Sequence, residues 1–442
     1  MPELPQRFDT LKVRAGHRPS EHHYAVQVPI YQTASYELGD PARAERLLCF
    51  DEVGFTYSRV GNPTVAALEE RVAALDGASG AVALASGMAA VSYALLNVTD
   101  GGGRILSTRN LYGGTTDAFK KIFPRFGVEV DYAAEVDDPA SFERALRPDT
   151  RAIFVESITN PNAVVADLAG LADVAHAHGI PLIVDNTFAT PYLLRPIEHG
   201  ADVVVYSATK GLSGNGSTIA GLVLESGLFD WGDGSFPQFT DPIHTLRDRF
   251  GAERGILDIT GEFPFTLRLR LTYLAYLGAA LGPQDAYLVL LGLETLSERV
   301  AKQVATAERV VAHLQAHPDV AWVFHPSAAG SRSADLAARY LPRGAGPVLS
   351  FGLHGDPARA EALIAATGLF SYQANVGDAR SLIINSARTT HGELDAAEQA
   401  AAGIRPETIR LSIGLEDPDD LIDDLDQAIA AAVSALPGTT AG

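Results

Sequence analysis

The chain has 442 residues, of which 47% are hydrophobic and 20% charged, with a formal net charge of −20. That balance is of a globular protein able to bury a full core and excludes general disorder, while the acidic surplus argues against nucleic-acid and anionic-membrane partners, which call for a basic patch. The lone cysteine, Cys49, excludes an intrachain disulfide framework, and with no signal-like N-terminus and no uninterrupted apolar run of ~18 residues the expectation is a cytoplasmic protein without a membrane span.

Residues Met1 to Asn62 hold few periodic segments and many turn formers, among them Pro19, Pro29, Gly39, Pro41 and Gly61. They read as an extended arm, and an arm of this length needs a surface to offset its ordering entropy, so it is expected to lie on a neighbouring subunit. His17, His22 and His23 fall in this arm without partners at zinc-ligand spacing, so no metal site is expected. Pro63 suits the first turn of a helix, with Leu68, Val72 and Leu75 as its apolar stripe and Gly77 as its stop. Strand-like runs follow at Ala81 to Ala85, Arg104 to Ser107, Val128 to Tyr132, Ala152 to Glu156, Leu182 to Asp185, Val203 to Ser207 and Gly221 to Leu224, with helix-length segments between most of them. Seven strands separated in this way predict an α/β fold with a mostly parallel, doubly wound sheet. A loop rich in glycine and aromatic residues, Trp231 to Pro237, closes the region. Leu267 to Leu281 and Asp285 to Ala316 have helical periodicity, and the second is expected to link two domains. Beyond about Val320, strands at Ala321 to Phe324, Val348 to Leu353, Leu382 to Asn385 and Thr408 to Ile413, with helices at Ala358 to Ala366 and Asp420 to Ala435, predict a smaller α+β domain. The expected division is an arm over 1–62, a main domain over 63–265 and a C-terminal domain over 266–442 that includes the linking helix.

In open α/β sheets ligands gather at the carboxyl ends of the strands. Asp185 ends one apolar run, and Lys210 follows another through Ser207-Ala208-Thr209. Pyridoxal phosphate (PLP) requires this pair: an amine for a Schiff base and a carboxylate to keep the pyridine nitrogen protonated. A surface lysine and a helix-capping aspartate are the plain alternative. Ser86-Gly87-Met88 follows a strand and opens a helix, where backbone N–H groups and the helix dipole would hold a phosphate, or where Ser86 is simply a cap. Ser207 and Thr209 offer hydroxyls to the same phosphate or belong to an ordinary turn. Tyr112, ahead of Gly113-Gly114, suits stacking on a pyridine ring or a place in the core. Asn160-Pro161 follows the strand ending at Glu156; its amide suits the cofactor's phenolic oxygen, and a plain turn is the other reading.

Taken in order, six motifs resemble the Cys/Met-metabolism family of PLP enzymes, the cystathionine γ-synthase-like group. They are Tyr57-Ser58-Arg59-Val60-Gly61-Asn62-Pro63-Thr64, Ala85-Ser86-Gly87-Met88-Ala89-Ala90, Leu111-Tyr112-Gly113-Gly114-Thr115, Val184-Asp185-Asn186-Thr187-Phe188, Ser207-Ala208-Thr209-Lys210 and Arg410-Leu411-Ser412-Ile413-Gly414-Leu415-Glu416-Asp417. The similarity runs from about Leu11 to Ala435. Within the family it is strongest to the O-acetylhomoserine sulfhydrylases, through Val28 to Thr33, Asn186 to Tyr192, Arg195 to Asp202 and Ala374 to Ala379. The resemblance implies the type I fold of PLP-dependent transferases and a role for each matching position. Lys210 would form the Schiff base and later move protons between substrate carbons. Asp185 would pair with the pyridine nitrogen, and Tyr112 would stack on the ring and assist proton transfer. Ser86, Gly87, Met88, Ser207 and Thr209 would bind the phosphate, with Asn160 beside the phenolic oxygen. Tyr57 and Arg59 would reach the phosphate of a neighbouring subunit in a homotetramer of catalytic dimers. Arg410, aided by Asn375, would hold the substrate α-carboxylate, a task suited to a planar guanidinium.

The chain also departs from the family. Asn385-Ser386-Ala387-Arg388-Thr389-Thr390-His391 stands where the family usually reads His-Pro-Ala-Ser-Thr-Thr-His, and Ser213-Gly214-Asn215-Gly216 where sulfhydrylases carry Gly-Gly-His-Gly. The segment Asp241 to Glu262 is hard to match. An intact cofactor set with altered neighbours suggests a changed pocket. Arg388 is expected either to face a carboxylate or anionic ligand and bias substrate choice, or to be a solvent-facing loop residue. The expected reaction is γ-replacement on an O-acylated homoserine by sulfide or a small thiol; alternatives are γ-elimination or replacement on another γ-substituted amino acid in specialised biosynthesis, and a non-catalytic PLP-binding protein.

Overall fold

The structure is a computed structural model and describes residues 6–436. Its main sheet contains β1 (Gly80–Leu84), β2 (Arg104–Ser107), β3 (Glu129–Tyr132), β4 (Thr150–Glu156), β5 (Leu182–Asp185), β6 (Val203–Tyr206) and β7 (Gly221–Glu225), in the order β1-β7-β6-β5-β4-β2-β3. The β6-β5-β4-β2-β3 pairs are parallel; β7 alone runs against both of its neighbours. Successive side chains of a strand point to opposite faces, and here both faces are covered. Ile153, Val155, Leu182, Val184 and Val204 feed one core, and Ala152, Phe154, Ile183, Val203 and Val205 the other. This double burial is why the strands read as near-continuous apolar runs.

The helix Pro63–Asp76 forms where its signals predict: Asn62 caps it, accepting from the Thr64 N–H at 3.0 Å, and Gly77 at φ 78° ends it. A hairpin, β8 (Ile243–Arg247) with β9 (Glu253–Arg254), follows the main sheet and occupies most of the segment that matches no motif. A second sheet contains β10 (Val320–Phe324), β11 (Val348–Leu353), β12 (Ser371–Tyr372), β13 (Leu382–Asn385) and β14 (Ile409–Ser412), ordered β10-β11-β14-β13-β12. Its core packs against the helices Arg359–Ala366 and Pro418–Ala435. The long helix Leu296–Ala316 joins the two bodies: Leu296, Val300 and Val304 belong to the core of the large sheet, and Ala307, Val310, Val311 and Leu314 to that of the small one.

Three segments differ from the sequence expectation. The stretch expected as one helix over Asp285 to Ala316 is two, Pro283–Leu293 and Leu296–Ala316, broken at Glu294 and Thr295. Gly292 packs directly on the Ser213 backbone, and Arg299 donates to the Gly292 carbonyl at 2.7 Å, so a tertiary contact ends the first helix. Leu267 to Leu281 is a short helix, a π turn over Arg270–Leu274 and a further turn ending at Gly278, φ 83°. The N-terminal segment contains the helices Phe8–Arg14 and Pro41–Leu48. The first lies on the body of its own chain, with the Phe8 ring 5.4 Å from Tyr192 and the Lys12 ammonium on Ser297 at 2.6 Å.

Candidate active site

A cavity of about 240 Å³ lies at the carboxyl ends of β4, β5 and β6, closed on one side by β14 and the loop before β13. It brings together Ser86, Gly87, Met88, Tyr112, Asn160, Asp185, Ser207, Thr209, Lys210, Asn375 and Arg410, residues drawn from separate stretches of the chain. Ser86 caps the helix Gly87–Thr99, accepting from the Ala89 N–H at 3.1 Å. The N–H groups of the first turn of a helix have no partners inside the helix, which leaves this terminus able to hold an anion. Gly87 is required there, since a Cβ would stand 2.6 Å from the Ser207 Cβ. Thr209 keeps its turn role too: its hydroxyl accepts from the Ala220 N–H at 3.0 Å and donates to the Ala220 carbonyl at 3.2 Å.

Asp185 accepts from the Thr187 N–H at 2.9 Å. Burial pushes its carboxyl above the ordinary range, and among the described residues it has no ion-pair partner. A cationic ring nitrogen is the kind of group such a carboxylate needs. Its neighbour Asn186 is fixed by bonds to the Leu194 carbonyl, the Tyr206 hydroxyl and Ser157, and Tyr206 in turn donates to Asp76 at 2.6 Å. The Lys210 ammonium donates to Asn375 Oδ1 at 2.5 Å. Desolvation, then the Arg410 charge, lowers the Lys210 amine to about 8. Arg410, on β14, is buried and donates to Asn160 Oδ1 and to the Asn375 carbonyl, both at 3.0 Å. Burial holds its pKa down to about 10. Among the described residues no carboxylate forms an ion pair with it, so it stands ready for an anionic group at one end of the cavity.

Nucleophilic amine, strand-end carboxylate, glycine-bounded helix terminus and buried guanidinium together have the donor set for pyridoxal phosphate and an amino-acid carboxylate. A model of the Cys/Met metabolism PLP-dependent enzyme family matches residues 9–430. The chain belongs to that family. It is 42% identical to O-acetyl-L-homoserine sulfhydrylase 1 of Thermus thermophilus over 96% of this chain and 100% of the relative. It is 40% identical to the sulfhydrylase FUB7 of Gibberella moniliformis over 97% and 99%. A crystal structure described as an O-acetylhomoserine (thiol)-lyase of Campylobacter jejuni, containing N′-pyridoxyl-lysine-5′-monophosphate, superposes with a TM-score of 0.91 at 36% identity, covering 96% of this chain and 100% of that one. The protein is a PLP-dependent enzyme of the type I fold, with a seven-stranded, mostly parallel sheet and a separate C-terminal sheet domain.

Tyr57 and Arg59 are not in this cavity; both are exposed, with the Arg59 guanidinium 5.6 Å from the Tyr57 ring centre. The departures from the family motifs also lie outside it. Arg388 is exposed, lies outside the cavity and stands 3.7 Å from the Glu361 carboxylate, so of its expected partners it meets a carboxylate, on a solvent-facing loop, and not a ligand in this cavity. Asn385 makes local bonds to the Ala387 N–H and the Pro406 carbonyl, and Asn215 accepts from Ser217 in an exposed turn. The inference of a changed pocket therefore has no contact to rest on at these positions. Two residues beyond the sequence reading do matter. His391 donates from Nε2 to the Leu111 carbonyl at 3.1 Å, behind the Tyr112 loop, and burial lowers its pKa to about 4, so it is neutral. Glu156 faces the cavity beside Asp185, its register partner on β5. The only signal for Glu156 in the sequence is its position at a strand's carboxyl end.

Proposed function

We propose that the protein catalyses γ-replacement on an O-acylated homoserine, with sulfide or a small thiol as nucleophile. The observation that carries this reading is the convergence of Lys210, Asp185 and Arg410 on one cavity in a chain whose full-length relatives are named for that chemistry. Pyridoxal phosphate, when bound, supplies an electron sink that acidifies the substrate's carbon-bound hydrogens. Asp185 holds the ring nitrogen cationic, and the Gly87 terminus, with Ser86, Met88, Ser207 and Thr209, holds the phosphate. Asn160 faces the phenolic oxygen. Tyr112 covers the ring and assists proton movement. Arg410, with Asn375, grips the α-carboxylate and so fixes which bonds face Lys210. The Lys210 amine, neutral at moderately alkaline pH, takes the proton from Cα, hands it on, and, neutral again, takes one from Cβ. The Cγ–O bond breaks with departure of the acyl carboxylate, the thiol sulfur bonds to Cγ and releases its proton to the departing acid, and protons are returned to Cβ and then to Cα through the same amine. Phe188, Ile158 and Val376 line the cavity and exclude water from it.

Tyr57 and Arg59 serve the phosphate of a neighbouring copy, which makes the working unit a homotetramer of catalytic dimers, placed in the cytoplasm. The decisive experiment supplies the holoenzyme with a panel of γ-acylated homoserines, with and without sulfide, and identifies the product. Homocysteine formed only with sulfide supports replacement; a keto acid formed without it identifies γ-elimination instead. Lys210→Ala should lose the visible absorption band, incorporate no cofactor on borohydride treatment and lose turnover by on the order of a thousandfold or more. Turnover at the parent rate in that variant would sink the assignment.

A further inference from the structure

Glu156 is a buried carboxylate for which the chemistry above has no use. It ends β4, and each of its oxygens is engaged by a backbone N–H from a different loop: Tyr112 on Oε1 at 2.6 Å and Asn160 on Oε2 at 2.8 Å. The Asn160 side chain then accepts from Arg410 at 3.0 Å, while β11 grips the same turn from the other side through Ser350, whose hydroxyl donates to the Pro161 carbonyl at 2.8 Å. Tyr112 itself is half exposed. Its ring lies over Gly114, where a Cβ would come within 2.6 Å of it, so little besides the backbone position sets its pose.

We propose that Glu156 is a positioning residue that holds two functional side chains in register, the Tyr112 ring through its own N–H and the Arg410 guanidinium through Asn160. The inference rests on the function proposed above, in which Arg410 receives the substrate α-carboxylate. Only a carboxylate can do this, because it accepts on both oxygens. A glutamine would turn an NH2 group toward one of the two N–H donors, and an aspartate is one methylene too short to reach both. Burial and the adjoining Asp185 charge push the Glu156 carboxyl upward, against the two N–H bonds and the Arg410 charge.

The test compares holoenzymes of the parent, Glu156→Gln, Glu156→Asp and Asn160→Ala. Binding of L-norleucine, an unreactive amino acid, and of n-pentylamine, which lacks only its carboxylate, is followed through the visible spectrum. Losing one charge-assisted link should weaken norleucine about tenfold more than pentylamine in each variant, and Glu156→Gln and Glu156→Asp should leave pentylamine within about twofold. The pair Glu156→Gln with Asn160→Ala should be no weaker than the worse single variant, since both lie on one chain of contacts. Equal losses for the two ligands, or none, overturn the proposal, because a general structural defect does not single out the carboxylate. If Glu156→Gln yields no loaded protein, Asn160→Ala decides the matter by the same ratio. A parent enzyme that binds norleucine no better than pentylamine overturns the reading of Arg410 itself, a different failure from loss of selectivity that never appears in the variants.

Discussion

Lys210 has its amine where water is scarce and Arg410 is near, and both effects favour the uncharged form. A lysine with the ordinary value of 10.5 is neutral to roughly 0.3% at pH 8; at about 8 half of the molecules are neutral. The sign follows: protonation below about 8 blocks attack on a carbonyl, and deprotonation above it permits attack. The rate at which apoenzyme captures added pyridoxal phosphate, followed by the growth of visible absorption, should therefore rise with pH to about 8 and level off there. A rate still climbing tenfold per pH unit at 9 would contradict the perturbed amine. Lys210 and Asp185 could be found from sequence because each is a charged residue at the end of an apolar strand, a place that fixes its destination. Arg388 could not, since nothing in the sequence tells whether a loop arginine turns inward, and here it turns to Glu361. Glu156 was hidden for another reason: its partners are backbone N–H groups, which every sequence contains.

The helix Leu296–Ala316 does more than connect two bodies. Its half-buried Arg299 donates to the carbonyls of Gly211, Leu212 and Gly292, clamping the turn that follows Lys210, and Gln303 donates to the Asp378 carbonyl two residues beyond Val376. Both sides of the cavity thus hang from a single helix, one turn apart. Arg299→Met keeps the stem but removes the donor to the Gly211 and Leu212 carbonyls, so it should lower stability by about 2 kcal/mol, read from the urea midpoint at unchanged slope. The parallel strands were legible because double burial writes itself as apolar runs. The break at Glu294 and Thr295 was not, because it depends on Gly292 meeting Ser213, and residues so far apart in sequence leave no periodic trace. The two-residue strand Ser371–Tyr372 was missed since it is too short to show alternation.

At the scale of the whole molecule, the stretch between the first helix and Asn62 presents Tyr24, Val26 and Val53 at 79%, 84% and 102% exposure. Tyr57 and Arg59 stand at its end, outside their own cavity. If they complete a neighbour's site, mixing inactive Arg59→Ala with inactive Lys210→Ala subunits should restore activity, up to about a quarter of the parent level for random pairing in dimers. Verified hybrids without activity would exclude the shared site. The reversed strand β7 has a consequence of its own, for synthesis on the ribosome. Among the described strands β1 is paired within its sheet by β7, so Leu84 must wait for Gly221 to emerge, roughly seven to thirty seconds at about 5–20 residues per second. Through that interval an apolar strand lies unpaired in the nascent chain, within reach of chaperones. The helix terminus carrying Ser86 and Gly87 hangs from it, so the anion cradle is among the last pieces of the newborn protein to set.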